Sequence, residues 1–220
     1  MDVCDDAQVS EGVARVVDRH GRLDAVVACA GWGLAGPAEH TPISDAKDQL
    51  ETNFWGAVRL VQAALPFMRE RKAGRGVMVG SLAGLIALPF QAFYSASKFA
   101  MEGYAEALAY EVAPFGIEVT VVEPGNIRTD FTANRRDVEP PTGSDPYRAA
   151  SDKAISVMER DEANGASPEV VARVVDKVLN DKRPPRRVSA GKFGERIGVV
   201  AKRVLPHRVF EAAAKGALGV

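Results

Sequence analysis

Three short β-branched runs, separated by segments of helix length, limit this chain more than any other feature. They are LDAVVACAG (Leu23–Gly31), GVMVGS (Gly76–Ser81) and IEVTVVEPG (Ile117–Gly125), and each stops at a Gly, Ser or Pro-Gly end. Runs that are apolar at nearly every position suit parallel strands buried on both faces. The segments between them read as helices. DAQVSEGVARVVDRHG carries Val9, Val13, Val16 and Val17 on one face and stops at Gly21. SDAKDQLETNFWGAVRLVQAALPFMRERKAG opens at Ser44 or Asp45, and the Ala-rich YSASKFAMEGYAEALAYEVAPFG stops at Pro114–Gly116. Alternating strands and helices predict an α/β doubly wound parallel sheet. Ligands of such sheets sit beyond the carboxyl ends of the strands, which singles out Gly31, Ser81 and Pro124–Gly125.

After Thr129 the pattern breaks. DFTANRRDVEPPTGSDPYRAASD is polar and Pro-rich, and residues 130–166 are expected to form a long loop that serves as a substrate lid. SPEVVARVVDKVLN then reads as a helix with Ser167 as N-cap and Pro168 in its first position. RRVSAG offers a last short strand. Residues 192–220 form a basic, amphipathic tail with Ile197, Val200, Ala201, Val204 and Leu205 on one face, and a second helix restarts after Pro206. The tail is expected to dock on its own core, with contact at a membrane surface as the rival. No repeat or second domain shows, so residues 1–220 read as a single domain.

Composition narrows the function classes. With 220 residues and a net charge of −1, nothing argues for nucleic acid. Cys4 and Cys29 lie far apart and outside any CxxC, so they are expected to be reduced thiols. His20, His40 and His207 have no metal-ligand spacing, and no metal is expected. There is no signal-peptide pattern at MDVCDDAQ and no apolar run long enough to span a bilayer, so a cytoplasmic protein is expected.

The chemistry concentrates in FYSASKFAMEGY, where two catalytic patterns overlap. Ser95 and Lys98 make Ser-x-x-Lys, the spacing of an acyl-transferring serine. That chemistry also needs Lys-Thr-Gly and Ser-Asp-Asn elements, which are absent, and VGSLAG has Val79 where a nucleophile elbow needs glycine. Tyr94 and Lys98 make Tyr-x-x-x-Lys, an i, i+4 pair on one helix face. A phenol titrates near ~10, too high for efficient proton exchange at neutral pH, and an ammonium one turn away is expected to lower it. Ser81, just past its strand, is placed to hold a carbonyl or alcohol oxygen.

With these residues in register, the chain resembles the short-chain dehydrogenase/reductase family, closest to the branch of hydroxysteroid and retinol dehydrogenases. The resemblance covers nearly the whole chain and implies a Rossmann-like fold. The family's catalytic Asn, Ser, Tyr and Lys fall on Asn53 in NFWG, Ser81 in MVGS, Tyr94 and Lys98. It implies that Tyr94 is the general acid/base and that Lys98 lowers its pKa and holds the nicotinamide ribose. Ser81 would position the reacting oxygen, and Asn53, by disturbing its helix, would hold a relay water. PGNIRT matches the family's Pro-Gly-x-x-x-Thr segment beside the nicotinamide, which carries Pro124, Gly125, Ile127 and Thr129. ACAG stands where the family usually has Asn-Asn-Ala-Gly, leaving backbone contact by Ala30 and Gly31. MDV looks like the end of the family's third strand, with Asp2 and Val3 at the adenine.

The implied cofactor is NAD or NADP, and the implied substrate a hydrophobic alcohol or ketone. A homodimer or homotetramer through the helices of Asn53 and Tyr94 is implied as well. The family's Gly-rich turn after its first strand is not in this sequence, and GWGLAG (Gly31–Gly36) follows the wrong strand to replace it. The family pattern is thus N-terminally truncated by its first βαβα unit, through a start codon assigned too late, a chain lacking its front, or a degenerate paralogue. The expected consequences are weak cofactor binding, poor solubility from an open strand edge, and, as the alternative function, an inactive binding or scaffold module.

Overall fold

The computed structural model describes residues 1–139 and 141–218, with Leu218 in backbone only. Pro140 of the expected lid and residues 219–220 of the expected tail lie outside the described residues. Four parallel strands make the main sheet: β1 (Ala25–Ala28), β3 (Gly74–Val79), β4 (Ile117–Pro124) and β6 (Arg187–Ala190), in the order β1-β3-β4-β6. A parallel pair β2 (Leu34–Ala35) and β5 (Arg136–Asp137) forms a separate ribbon. Between β1 and β3 the chain passes through α2 (Ile43–Leu50) and α3 (Gly56–Arg71), and between β3 and β4 through α4 (Ala92–Val112). It reaches β6 by way of α5 (Arg148–Ala163) and α6 (Pro168–Asn180).

Helices cover both sheet faces, which makes the fold an α/β doubly wound one. On one face, Val26, Ala28, Met78, Val119 and Val121 pack against α3, α4 and α1 (Asp6–His20). On the other, Val77, Val122 and Ala190 meet Val171, Val174 and Val178 of α6. That second layer does not extend over β1, whose burial alternates and leaves Val27 37% exposed. The reading of this run as buried on both faces fails there for want of a covering helix. Among the described residues β1 pairs only with β3, so its outer edge is open.

Local chemistry accounts for the helices. Asp5 caps α1 by accepting the Gln8 N–H at 3.0 Å, and Gly21 ends it with φ 69°. Val9 and Val13 are buried on its inner face, whereas Val16 is 41% exposed. The helix expected from Ser44 begins instead at Ile43, after Pro42, and is interrupted at Glu51–Trp55 by a π-helical turn before α3. Met1–Val3, expected as a strand end, forms no strand: the Asp2 carboxylate accepts the Cys4 N–H in a turn, and the Arg59 guanidinium holds the Val3 carbonyl at 3.3 Å.

Residues 130–166 are not loop throughout, because α5 fills nearly half of them. Its Ser151, Ala154 and Met158 are buried, an i, i+3, i+7 pattern hidden in a polar sequence. Two helices, α7 (Phe193–Val204) and α8 (His207–Leu218), complete the chain. Among the described residues no helix is long and apolar enough to cross a membrane.

Gly116 shows how tightly the sheet entries are built. Its φ is 68°, and a Cβ there would collide with the Lys72 carbonyl. Gly116→Ala is therefore expected to destabilise the fold by more than about 1 kcal/mol, read as a lower urea midpoint at unchanged m-value.

Candidate active site

The carboxyl ends of β1, β3 and β4 open onto one region, and α4 delivers two side chains to it. Tyr94 and Lys98 lie one turn apart and are buried, and the Lys98 ammonium sits 5.8 Å from the Tyr94 ring centroid. Lys98 Nζ donates to the Val79 carbonyl at the end of β3, at 3.0 Å. Ser81 lies two residues further along. Its Oγ accepts the Ala83 N–H at 3.0 Å, and its hydroxyl also acts on the Tyr94 phenol.

Asn53 enters from the π-helical turn, which carries its fully buried side chain to the loop after β1. Its Oδ1 accepts the Trp32 N–H at 3.0 Å, and its Nδ2 donates to the Trp32 carbonyl at 2.9 Å and to Ser97 Oγ at 3.3 Å. Gln49 donates to the same carbonyl at 2.7 Å. The asparagines missing from ACAG are thus replaced by a clamp from the next helix. Gly31 sits in this corner: a Cβ on it would lie 3.2 Å from Asn53 Oδ1 and 3.7 Å from Lys98 Nζ. Asn53, Ser81, Tyr94, Lys98 and Gly31 are therefore brought together, with Ala30 exposed beside them.

The Pro124–Thr129 segment leaves β4 next to this cluster. Asn126 and Arg128 bond the backbone of Ala166, so the alternating N–H and carbonyl of Ile127 face the other way. Gly125 is needed for close approach, because a Cβ there would collide with the Glu195 carboxylate of α7. Thr129 is exposed and accepts the Phe131 N–H at 3.2 Å. Asp2 and Val3 are not joined to the cluster: Asp2 sits in its own turn, and Val3 packs against Gly56. Among the described residues no group of side chains could hold a metal ion.

Burial dominates the electrostatics. It pushes the Tyr94 phenol up to about 12, with Ser81 pulling it down and Glu162 adding to the rise. It lowers the Lys98 ammonium to about 8, against the opposing pull of Cys29 and Glu102. The expectation that Lys98 lowers the Tyr94 pKa is thus not met in the protein alone. The ammonium lies over the ring and is bonded to a carbonyl, while the phenol pays for desolvation. Ser95 is buried, and its Oγ accepts the Leu88 N–H at 3.1 Å.

Several neighbours were missed by the sequence reading. Phe131 meets the Tyr94 ring edge-on at 5.6 Å. Arg135, buried among Glu159, Glu162 and Asp137, ties α5 to the β2–β5 ribbon beside it. These contacts join distant segments and carry no local signal. Glu102 does carry one, since it stands four residues after Lys98. Buried against Arg187 at 2.8 Å and facing Glu123, it is pushed up to about 7, first by burial and then by Glu123.

The profile of the short chain dehydrogenase family matches residues 1–140. The chain belongs to that family. The 3-ketodihydrosphingosine reductase of Bacteroides thetaiotaomicron is 35% identical over 213 residues, 97% of this chain and 79% of the relative. Retinol dehydrogenase 8 of Bos taurus is 39% identical over 199 residues, 85% of this chain but 61% of the relative. A short-chain dehydrogenase from Streptomyces avermitilis superimposes with a TM-score of 0.80 at 31% identity, over 98% of this chain and 78% of that one. The NADP-bound ElxO structure has a TM-score of 0.69 at 26% identity, covering 86% and 74%. NAD⁺-bound xylitol dehydrogenase gives 0.69 at 25%, covering 87% and 76%. This family member is an oxidoreductase that uses NAD or NADP. Lys98 beside the side-chain-free Gly31, and the backbone edge of Ile127 left unpaired by Ala166, offer donors and acceptors of the kind a nicotinamide ribose and carboxamide take.

The raised Glu102 has a measurable consequence. A carboxyl whose folded pKa lies above its ordinary value keeps its proton more tightly in the native state, so stability falls as pH rises from about 4.5 to about 7. Glu102→Gln is expected to flatten that fall by roughly 1–2 kcal/mol, leaving the smaller part contributed by Glu123. Urea unfolding at the two ends of this window, on both proteins, measures it.

Proposed function

We propose that this dehydrogenase interconverts a hydrophobic alcohol and its ketone or aldehyde, with Tyr94 as the general acid/base. The observation that carries the reading is the convergence of Ser81, Tyr94, Lys98 and Asn53 at the strand ends. When bound, the nicotinamide supplies or accepts the hydride. The protein handles the oxygen and its proton. In the reducing direction, Ser81 Oγ holds the carbonyl oxygen and the Tyr94 phenol gives that oxygen its proton as the alcohol forms. In the oxidising direction the phenolate takes the proton back. Lys98 stabilises the phenolate and holds the ribose. Asn53 fixes the Trp32 loop with its side chain, and its distorted turn holds the relay water.

The hydrophobic class is supported from two sides. The names of two relatives specify a 3-ketodihydrosphingosine and retinol. In this chain, Phe131 stands at the Tyr94 ring, and Leu85 and Ile86 lie half-buried in the loop that follows Ser81. Residues 130–166, anchored by Arg135, act as the lid over that apolar side. The exposed Trp55, next to α3, and Tyr110 of α4 mark the faces for a second copy in a homodimer or homotetramer.

Tyr94→Phe is expected to lower turnover of a lipophilic ketone by ~10²–10⁴-fold while leaving nicotinamide binding nearly unchanged. Lys98→Ala is expected to reduce both. Ser95→Ala should leave turnover within about twofold and cost about 1 kcal/mol of stability, because it leaves the Leu88 N–H without a partner. Steady-state rates and nicotinamide fluorescence titrations test the set. An active Tyr94→Phe enzyme beside an inactive Ser95→Ala enzyme overturns the assignment.

A further inference from the structure

Helix α7 does not dock its apolar face. Its inner side, polar or small except for the half-buried Val199, roofs the site: the Glu195 carboxylate accepts the Asn126 N–H at 3.3 Å, Gly198 packs near Ile86, and Lys202 Nζ donates to the Leu85 carbonyl at 2.5 Å. Lys192, just before the helix, donates to the Asn164 carbonyl at the end of α5 at 2.6 Å. The helix is thus held to the loop after Ser81, to the Pro124–Thr129 segment and to the end of the lid. Its opposite side carries Phe193, Ile197, Val200 and Val204, an i, i+4, i+7, i+11 stripe. These four are 76%, 54%, 60% and 72% exposed. Leu205 and Val209, also exposed, continue the apolar surface toward α8.

Charge indicates what such a stripe meets. Residues 192–218 hold six Lys or Arg and two Glu, in a chain whose net charge is −1. Arg196 and Arg203 fall about 70–90° around the helix from the centre of the stripe, on one flank of it. Among the described residues neither is within ion-pair distance of a carboxylate, although both lie close enough to the buried Glu123 to pull its pKa down against the rise from burial. An exposed apolar stripe with an arginine flank complements an anionic lipid surface, where apolar side chains enter the acyl boundary and cations stay with the headgroups. A second copy packed antiparallel through the stripe fits it poorly, because that two-fold contact sets the two arginine flanks on the same side of the interface.

We propose that α7 docks this chain onto anionic membrane surfaces through Phe193, Ile197, Val200 and Val204, with Arg196 and Arg203 at the headgroups. The helix that meets the lipid is the helix that roofs the site, so docking sets the Ser81–Tyr94 opening beside the bilayer. A lipophilic alcohol or ketone then reaches the site from the acyl boundary rather than through water. The docking stands on this surface alone; its use in substrate delivery rests on the hydrophobic-substrate reading above.

Vesicle co-sedimentation tests it, with phosphatidylcholine alone and phosphatidylcholine containing phosphatidylserine. The protein is expected to pellet with the anionic vesicles, at least tenfold more than with the neutral ones at low salt, and to be released as salt is raised. Ile197→Asp/Val200→Asp and Arg196→Glu/Arg203→Glu should each lower the pelleted fraction at least tenfold. Both pairs are exposed, and circular dichroism checks that the fold is kept. Turnover of a water-miscible ketone should be unaffected in both variants, which separates failure of docking from failure of the catalytic reading. Equal recovery with both vesicle types, or no recovery, overturns the proposal. So does a dimer in sedimentation velocity that Ile197→Asp/Val200→Asp dissolves while vesicle binding stays absent.

Discussion

An ammonium group taken out of water must be matched by nearby carbonyls and carboxylates, or it loses its proton. Lys98 is such a group, and much of the site follows from where it is buried. It reaches the Val79 carbonyl at the end of β3, which fixes α4 against the strand that leads to Ser81. Gly31 leaves room for Lys98 and Asn53 to meet in its corner, where a Cβ would press on Asn53 Oδ1 at 3.2 Å. Asn53 can meet them there only because the helix between β1 and β3 widens into a π turn at that point. Glu102, one turn further along α4, supplies negative charge from beneath, and its own burial keeps that charge weak.

The other side of the cluster is assembled from parts distant in sequence. Phe131 comes from the segment after β4, Glu162 from α5 and Glu195 from α7. Arg135 holds Glu162 with three carboxylates around one guanidinium, which ties the ribbon to α5. This wall is assembled from segments apart from β3, which leads to Ser81, and from α4, which carries Tyr94 and Lys98.

The parts of the fold that could be read in the sequence were those with a local physical cause. The strand runs, the capped first helix and the helix opened by Ser167–Pro168 all appear where their periodicity and end signals put them. Even there, the Ser167 hydroxyl bonds the Glu169 carboxylate rather than capping the backbone. Helix α5 was unreadable because its buried face is only Ser151, Ala154 and Met158, too small and polar to register as a stripe. Met1–Val3 read as strand from three residues of pattern, but a strand exists only through its ladder partners.

Sequence alone determined the sheet class, the family and the set of four residues at the centre of the site. Those depend on residue type and on spacing along one helix or past one strand, which the order of letters contains. Tertiary structure alone decided the state of those groups. Burial raises Tyr94 and lowers Lys98, and Trp32, not a neighbouring asparagine, receives the Asn53 amide. It also decided which face of α7 is bare, since amphipathicity gives a helix two faces without saying which one the core will take. Desolvation and long-range contact are properties of what surrounds a group, and sequence spacing does not specify those surroundings.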